Sequence, residues 1–531
     1  MKGLYFFVWL FLFLGACALQ KAPTGGEIDL IPPQILVTAP PNFSTNFSTQ
    51  TVYITFDEYV QVKNFSSQII VSPPLNKKPE FTLKGKTMIL TFEDTLLENT
   101  TYTFSFGTSI SDITEGNVQS DFKYVVSTGA FLDSMTLEGE IYDAFSGAPV
   151  ESALALIYPE DTQDSALYNQ LPLYYAVTDE KGHFLIENIK DATYRGFALE
   201  DKDNNYLLSS SSEKAGFSNL ALKAGSSEVS FRLFNEMGNP KFLNIRQKRQ
   251  NQFVANFSNT PDTFNIYYGN SEFAIERSHF EQNLISDTNY FWVDTLSQSR
   301  NVQFLVEWTA NGVTQIDTSV VFAKVGESSP NWKKLPLQVG KITPENSLGL
   351  ISNTPLSILD TNKILWVDGA DTALADFTLL SAQKQISINE SIELGKSYSI
   401  LYYPGAISTL YGDTLVDTLV HRANVLTEEE LSIFNVKINS TSSSPLIFEF
   451  LTDIYSEPLY RTSFFQLHEE RIANLPPGNY LMRIVIDENN NGVWDTGDLL
   501  NKVQPEPIIY YTKAIELRAN WEISLTWNVK P

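Results

Sequence analysis

Val52-Tyr53-Ile54-Thr55-Phe56-Asp57 places an aliphatic or phenyl side chain at every second position, with polar or amphipathic residues between. That is the two-residue period of a strand with one face buried. Thr101-Tyr102-Thr103-Phe104-Ser105-Phe106 alternates in the same way. Near the other end Trp521, Ile523, Leu525, Trp527 and Val529 share one face, opposite Glu522, Ser524, Thr526, Asn528 and Lys530. Turn signals such as Lys84-Gly85-Lys86 and Glu180-Lys181-Gly182 interrupt these runs at sandwich-like spacing. The expected class is all-β, built from tandem β-sandwiches. The one helix of note is a connector over Thr427 to Phe434.

A chain of 531 residues exceeds what one core supports and has room for four or five domains of ordinary size. Its 43% hydrophobic and 13% aromatic content is that of a folded protein, so the acidity does not mean disorder. The net charge of -25 excludes nucleic acid as a partner class, because phosphate neutralisation needs clustered lysine and arginine. The one basic cluster, Lys241, Arg246, Lys248 and Arg249, reads as a solvated strand edge.

The first residues read as an export signal: Lys2 is positive and Leu4 to Leu14 form an apolar run too short to span a bilayer. The run ends in Leu14-Gly15-Ala16-Cys17, which resembles the lipobox of bacterial lipoproteins. That resemblance implies a signal peptide over residues 1–16 and lipid attached to Cys17, the only cysteine in the chain. Residues 17–31, with Pro23, Gly25 and Gly26, read as a tether.

Internal repeats organise the rest. Tyr102 and Gly116 recur as Tyr398 and Gly412, both 296 residues on, and Pro40-Pro41-Asn42 recurs as Pro344-Glu345-Asn346. Asn188-Ile189, Tyr194, Asp201, Asp203 and Asn205 recur 286 residues on as Asn474-Leu475, Tyr480, Asp487, Asn489 and Asn491. The chain is therefore read as two copies of a two-domain unit, residues 32–130 with 131–233 and 334–426 with 431–531. A further β-sandwich of uncertain type spans 234–333.

Family resemblances attach to these units. Pro33 to Gly129, with Phe56-Asp57-Glu58-Tyr59, Ser72-Pro73-Pro74, Asp112, Glu115-Gly116-Asn117 and Ser127-Thr128-Gly129, resembles the bacterial Ig-like domain of the S-layer-protein type. In lipoproteins of Bacteroidetes-like bacteria that domain follows a linker like Pro23-Thr24-Gly25-Gly26. Residues 334–426 are expected to be a diverged second copy. The next unit, with Gly139-Glu140-Ile141, Gly147-Ala148-Pro149-Val150 and Thr178-Asp179-Glu180-Lys181-Gly182-His183-Phe184, resembles the transthyretin-like, carboxypeptidase-regulatory-like domain. Leu475-Pro476-Pro477-Gly478-Asn479-Tyr480 is the corresponding piece of the last unit. Both resemblances imply spacers and binding modules, by analogy of fold.

The densest set of oxygen ligands is Asp487-Glu488-Asn489-Asn490-Asn491-Gly492-Val493-Trp494-Asp495-Thr496-Gly497-Asp498. Asp487, Asn489, Asn491, Asp495 and Asp498 fall at positions 1, 3, 5, 9 and 12 of a calcium loop, with Gly492 for the turn and the Val493 carbonyl at position 7. A structural calcium ion is the expected cofactor; the same residues also suit a polar hairpin whose Asn and Gly serve only the turn. Asp201, Asp203 and Asn205 form the poorer candidate, followed by Ser209 and Ser212. Catalytic patterns are lacking. His183, His279, His421 and His468 lie in different units, neighbouring Asp57 and Glu58 would face opposite ways on a strand, and no nucleophile elbow or phosphate loop occurs.

Trp332, Tyr402-Tyr403, Tyr510-Tyr511 and Trp494 are the aromatic candidates for sugar binding, against a reading as core or interface. Asp94-Thr95-Leu96, Asp133-Ser134-Met135, Asp164-Ser165-Ala166, Asp294-Thr295-Leu296, Asp371-Thr372-Ala373, Asp413-Thr414-Leu415 and Asp417-Thr418-Leu419 resemble the O-glycosylation acceptor of Bacteroidetes envelope proteins, against a reading as strand-edge residues. The expectation is a non-catalytic envelope lipoprotein, a β-sandwich rod held on the outer membrane through Cys17, with the periplasmic face favoured and an envelope protein or glycan as partner. The alternatives are a glycan-binding accessory protein of a nutrient importer, or a carbohydrate- or peptide-active enzyme with its site in 234–333 or an interdomain cleft.

Overall fold

The computed structural model describes residues 28–530, apart from 121, 211, 237–239, 250, 259–260, 269–279, 283–287, 294–295, 297, 311, 326–331, 336–340, 347, 359 and 381–383. The signal segment, Cys17 and most of the tether, with His279 and the Asp294-Thr295 pair, lie outside these residues. The regular structure of the described chain is almost entirely strand. Where a helix was expected over 427–434 there is one 3-10 turn, Glu428–Glu430, and a strand from Ser432. Thr427 and Glu430 close a capping box around that turn. Beyond it, Ser432, Phe434, Val436 and Ile438 are buried while their neighbours are less so, and the two-residue burial pattern of a strand takes over.

Alternation sets the first module. Strands Ile35–Ala39, Thr51–Phe56, Thr87–Thr91 and Glu80–Lys84 form one sheet in that order, and Lys123–Ser127, Thr101–Ser105 and Ile70–Ser72 a second. Val52, Ile54 and Phe56 from the first sheet meet Phe104, Phe106 and Tyr124 from the second in one apolar core. Near the other half of the chain, Trp332–Leu335, Gly349–Ser352, Gln385–Ile388 and Phe377–Leu380 repeat the four-stranded order. The repeated residues do the same work in both places. The Tyr102 hydroxyl accepts the Leu97 N–H at 2.8 Å and the Tyr398 hydroxyl the Glu393 N–H at 2.9 Å. Gly116 and Gly412 stand at φ of 82° and 88°, which only glycine adopts without strain.

The second repeat is as close. Strand Met135–Asp143 lies between His183–Ile189, antiparallel, and Val229–Leu233, parallel. Strand Ser432–Ser440 lies between Leu467–Leu475, antiparallel, and Glu522–Val529, parallel. A second sheet covers each: Tyr174–Val177, Leu154–Pro159, Thr193–Leu199, Ala215–Phe217, and Tyr460–Phe464, Leu446–Leu451, Gly478–Ile486, Ile508–Tyr510. Tyr194 donates to the Lys190 carbonyl and Tyr480 to the Pro476 carbonyl, each four residues back. Asn188 and Asn474 are both left-handed at φ 57°. Each sends its side-chain amide to the preceding module, to Thr103 at 2.9 Å and Glu345 at 2.7 Å.

Between the copies, strands Phe242–Arg249, Gln252–Phe257, Thr288–Trp292 and Phe280–Gln282 face Thr263–Tyr268, Arg300–Ala310 and Val313–Ala323 around Phe253, Phe291 and Phe304. Lys241, Arg246, Lys248 and Arg249 are exposed on or beside the edge strand of the first of these sheets. The tandem does not run straight. The loop after Ile486 reaches back across the molecule and buries Leu499, 1% exposed, in an apolar cluster with Leu156, Tyr158, Phe197 and Phe217 of the second module. Thr496 donates to the Asn235 carbonyl, Gln504 to the Phe217 carbonyl and Tyr510 to the Phe145 carbonyl. The rod is thus doubled back, its second and fifth modules in contact.

Candidate functional site

The loop from Asp487 to Asp498 is the site the sequence pointed to. Asp487 is buried, and its carboxylate accepts the N–H groups of Asn491 at 3.0 Å and Gly492 at 2.9 Å. Gly492 at φ 80° and Asn490 at φ 59° make the reversal. Asn489 Oδ1 accepts the Asn491 N–H and Asn491 Oδ1 the Val493 N–H, while both amide nitrogens donate to Asp495 Oδ2 at 2.6 Å. Asp487, Asn489, Asn491 and Asp495 are therefore gathered. Asp498 is not among them: it binds the Asn501 backbone and amide at 2.8 Å.

Glu506 is gathered in as well. It is 5% exposed and accepts the N–H groups of Glu488 at 2.7 Å and Asp495 at 3.1 Å. Burial pushes its carboxyl above the ordinary value, and the Asp495 charge adds to the push. Glu506 lies 19 residues beyond Asp487, outside a twelve-residue template, so no local pattern marks it.

The earlier copy has the same design. Asp201 accepts N–H groups from Asn204, Asn205 and Tyr206 at 2.8, 3.2 and 2.9 Å. Asn204 and Tyr206 occupy the left-handed positions that Asn490 and Gly492 occupy 286 residues on. Glu213, 2% exposed, accepts from Lys202, Ser209 and Ser210. Carboxylate oxygens of Asp201, Asp203 and Glu213 lie within 4.8 Å of one another. Burial raises the Asp201 carboxyl above its ordinary value despite three N–H donors. Asn205 turns its amide nitrogen to Asp203 at 2.9 Å and its oxygen to the Leu207 N–H, so Glu213 joins the two aspartates where Asn205 was expected. Like charges this close need a counter-charge, and hard oxygens on a loop are the donor set of calcium. The residues present fit such an ion in the earlier copy; in the later one the amide nitrogens of Asn489 and Asn491 face Asp495, and no equally close trio of carboxylates forms among the described residues.

The remaining candidates resolve individually. Tyr402 is fully buried, Tyr403 is exposed, and Tyr510, Tyr511 and Trp494 are half-buried; the side chain of Trp332 is outside the described residues. Trp494 packs edge-on against Phe145 at 5.1 Å and donates to the Glu506 carbonyl. His421 is buried with Nδ1 at 3.1 Å from the Gly349 carbonyl, His183 is exposed, and His468 lies among Phe448 and Phe464; they do not converge. Among the glycosylation candidates, Asp133 binds Thr101, Asp164 pairs with Arg195 and Lys502, and Asp94 accepts from the Lys77 backbone. Among the described residues no helix is long and apolar enough to cross a membrane.

Residues 29–128 match the family described as a bacterial Ig-like domain. No curated protein matches the chain. Solved structures similar to it include the Bacillus anthracis TIE protein, at 10% identity over 96% of this chain and 76% of that one, TM-score 0.14. The major pilin subunit BcpA of Bacillus cereus is similar at 8% identity over 75% and 99%, TM-score 0.14. Titin domains A168–A170 are similar at 13% identity over 48% and 94%, TM-score 0.14. Scores of this size carry no argument about the whole chain. What the match and the geometry together establish is a tandem of β-sandwiches whose first module, at residues 29–128, is similar to the bacterial Ig-like domain.

Proposed function

We propose that this protein is a non-catalytic scaffold of the bacterial cell envelope, lipidated at Cys17 and held on the outer membrane, on its periplasmic face. The observation that carries the reading is the doubled-back tandem. Binding energy has gone into fixing modules against one another, with Leu499, Trp494 and Phe145 at the contact, and the described histidines do not assemble into a base. Calcium ions in the loops around Asp201, Asp203 and Glu213, and around Asp487, Asn489, Asn491, Asp495 and Glu506, would neutralise the carboxylates and stiffen the segment that makes the module contact. The modules over 131–233 and 431–531 act in this reading as transthyretin-like spacers.

Metabolic labelling tests the anchor. Cells making the wild type should incorporate radioactive palmitate into the protein and sediment it with membranes, and Cys17→Ala should do neither. An unlabelled wild-type protein in the soluble fraction would overturn the anchoring. Purification from membranes with mass spectrometry should recover an envelope partner at fixed stoichiometry; recovery of the chain alone would count against a scaffold.

A further inference from the structure

The contact between the halves leaves a cavity of about 1240 Å3, walled by the second, third and fifth modules. Its aromatic wall is ordered from behind. The Phe145 ring has the Arg483 guanidinium over it at 4.7 Å and the Trp494 edge against it at 5.1 Å. Tyr455 stacks on the same ring at 6.0 Å and 19° between planes, yet is 63% exposed. A large flat ring is thus pre-positioned at the cavity with most of its surface in water.

The charge on the wall is one-sided. Seven carboxylates line the cavity against three basic side chains, Lys214, Arg461 and Arg483. All three bases are taken: Lys214 by Asp143 at 2.5 Å, Arg461 and Arg483 by the buried Glu449 at 3.0 and 2.5 Å. No lysine or arginine among the described residues pairs with Asp262, Glu457, Asp495 or Asp498. Asp262 and Glu457 are exposed and come from different modules, so both the third and the fifth module contribute to the negative field. An anionic ligand is repelled, and a neutral one gains nothing from the field. A ligand with cationic heads on apolar stems gains from both features, because guanidinium and ammonium groups sit favourably over an aromatic face and acidic walls of low dielectric focus their field on the space between them.

We propose that this cavity binds a lysine- or arginine-rich segment of a partner protein, with Tyr455 as the stacking surface and Asp262 and Glu457 as the anionic groups. The proposal does not depend on lipidation or on calcium.

The test is fluorescence anisotropy of a labelled eight-residue peptide of alternating lysine and arginine, titrated with the full chain in detergent at saturating calcium. Competition with maltohexaose runs in parallel. Binding should saturate at one peptide per chain. The pair Asp262→Asn with Glu457→Gln should weaken it about tenfold, as expected for two screened ion pairs. Tyr455→Ala, which changes no charge, should weaken it about three- to fivefold, the equivalent of one cation–aromatic contact. Glu93→Gln with Glu516→Gln, exposed carboxylates of other faces, should leave it unchanged. A melting curve for each variant keeps folding separate from binding. Equal losses from the distal pair and the cavity pair would show attraction to the overall charge and overturn the proposal. So would an unaffected Tyr455→Ala, or maltohexaose binding that depends on Tyr455 while the peptide does not bind, which would make the cavity a glycan site.

Discussion

Leu499→Ala isolates the force that folds the tandem back. Leu499 is 1% exposed, and its neighbours Leu156, Tyr158, Phe197 and Phe217 belong to a module more than 280 residues earlier. Truncating a buried leucine loses the transfer free energy of its methyl groups and leaves a cavity, at a cost of about 2–5 kcal/mol. The loop can relax on its solvent side, which favours about 3 kcal/mol, and 1.4 kcal/mol is a factor of about ten in an equilibrium constant. Docking of the fifth module on the second should therefore weaken by about a hundredfold. Small-angle scattering should report a larger radius of gyration for the variant, while circular dichroism keeps its β signature, because neither sandwich core loses a residue of its own. Leu97→Ala, on an exposed loop of the first module, is the control and should change neither. An unchanged radius with a docking loss below about 0.5 kcal/mol would refute the assignment of Leu499 to the second module's core.

Three further outcomes follow from the loops and the buried ion pair. Asp201→Asn and Asp487→Asn should each lower the melting temperature in calcium and reduce the shift that a chelator produces in the wild type, and the two together should abolish it; a chelator without effect on the wild type would remove the ion from both loops. In chelator, Asp201 gives the second module a pH signature of definite sign. Its folded carboxyl holds a proton at a pH where the unfolded chain has released it, so stability falls as pH rises from the ordinary carboxylate value through the raised one; urea midpoints should show a steeper fall for the wild type than for Asp201→Asn. Arg483→Met leaves the buried Glu449 with Arg461 alone and should cost about 2 kcal/mol, less than the roughly 3–5 kcal/mol of a wholly unpaired buried charge, whereas Glu449→Leu with Arg483→Met should recover most of it. Equal losses in the single and double variants would show that the pair has no such role.

The sequence by itself determined the class and the repeat. Val52, Ile54 and Phe56, or Ser432, Phe434 and Val436, state which face is buried, because in a strand that information is carried two residues apart and needs no tertiary knowledge. Tyr102 with Tyr398, and Asn188 with Asn474, were visible as constant offsets because each pair performs one local task at one place in its module. The loop residues Asp201 and Asp203, with Asp487 and Asn489, were visible as a repeat for the same reason. Glu213 and Glu506 were not: they enter across a loop of 12 and 19 residues whose length differs between the copies, so a fixed template passes over them. The connector over 427–434 was misread as a helix because three glutamates after a capping threonine look like a first turn, and only the sheet that Ser432–Ser440 joins overrides it. The doubling-back was the decision of tertiary structure alone. Alternation says that a side chain is covered but not by what, and Trp494 and Leu499 are covered by a module that no sequence neighbour reveals.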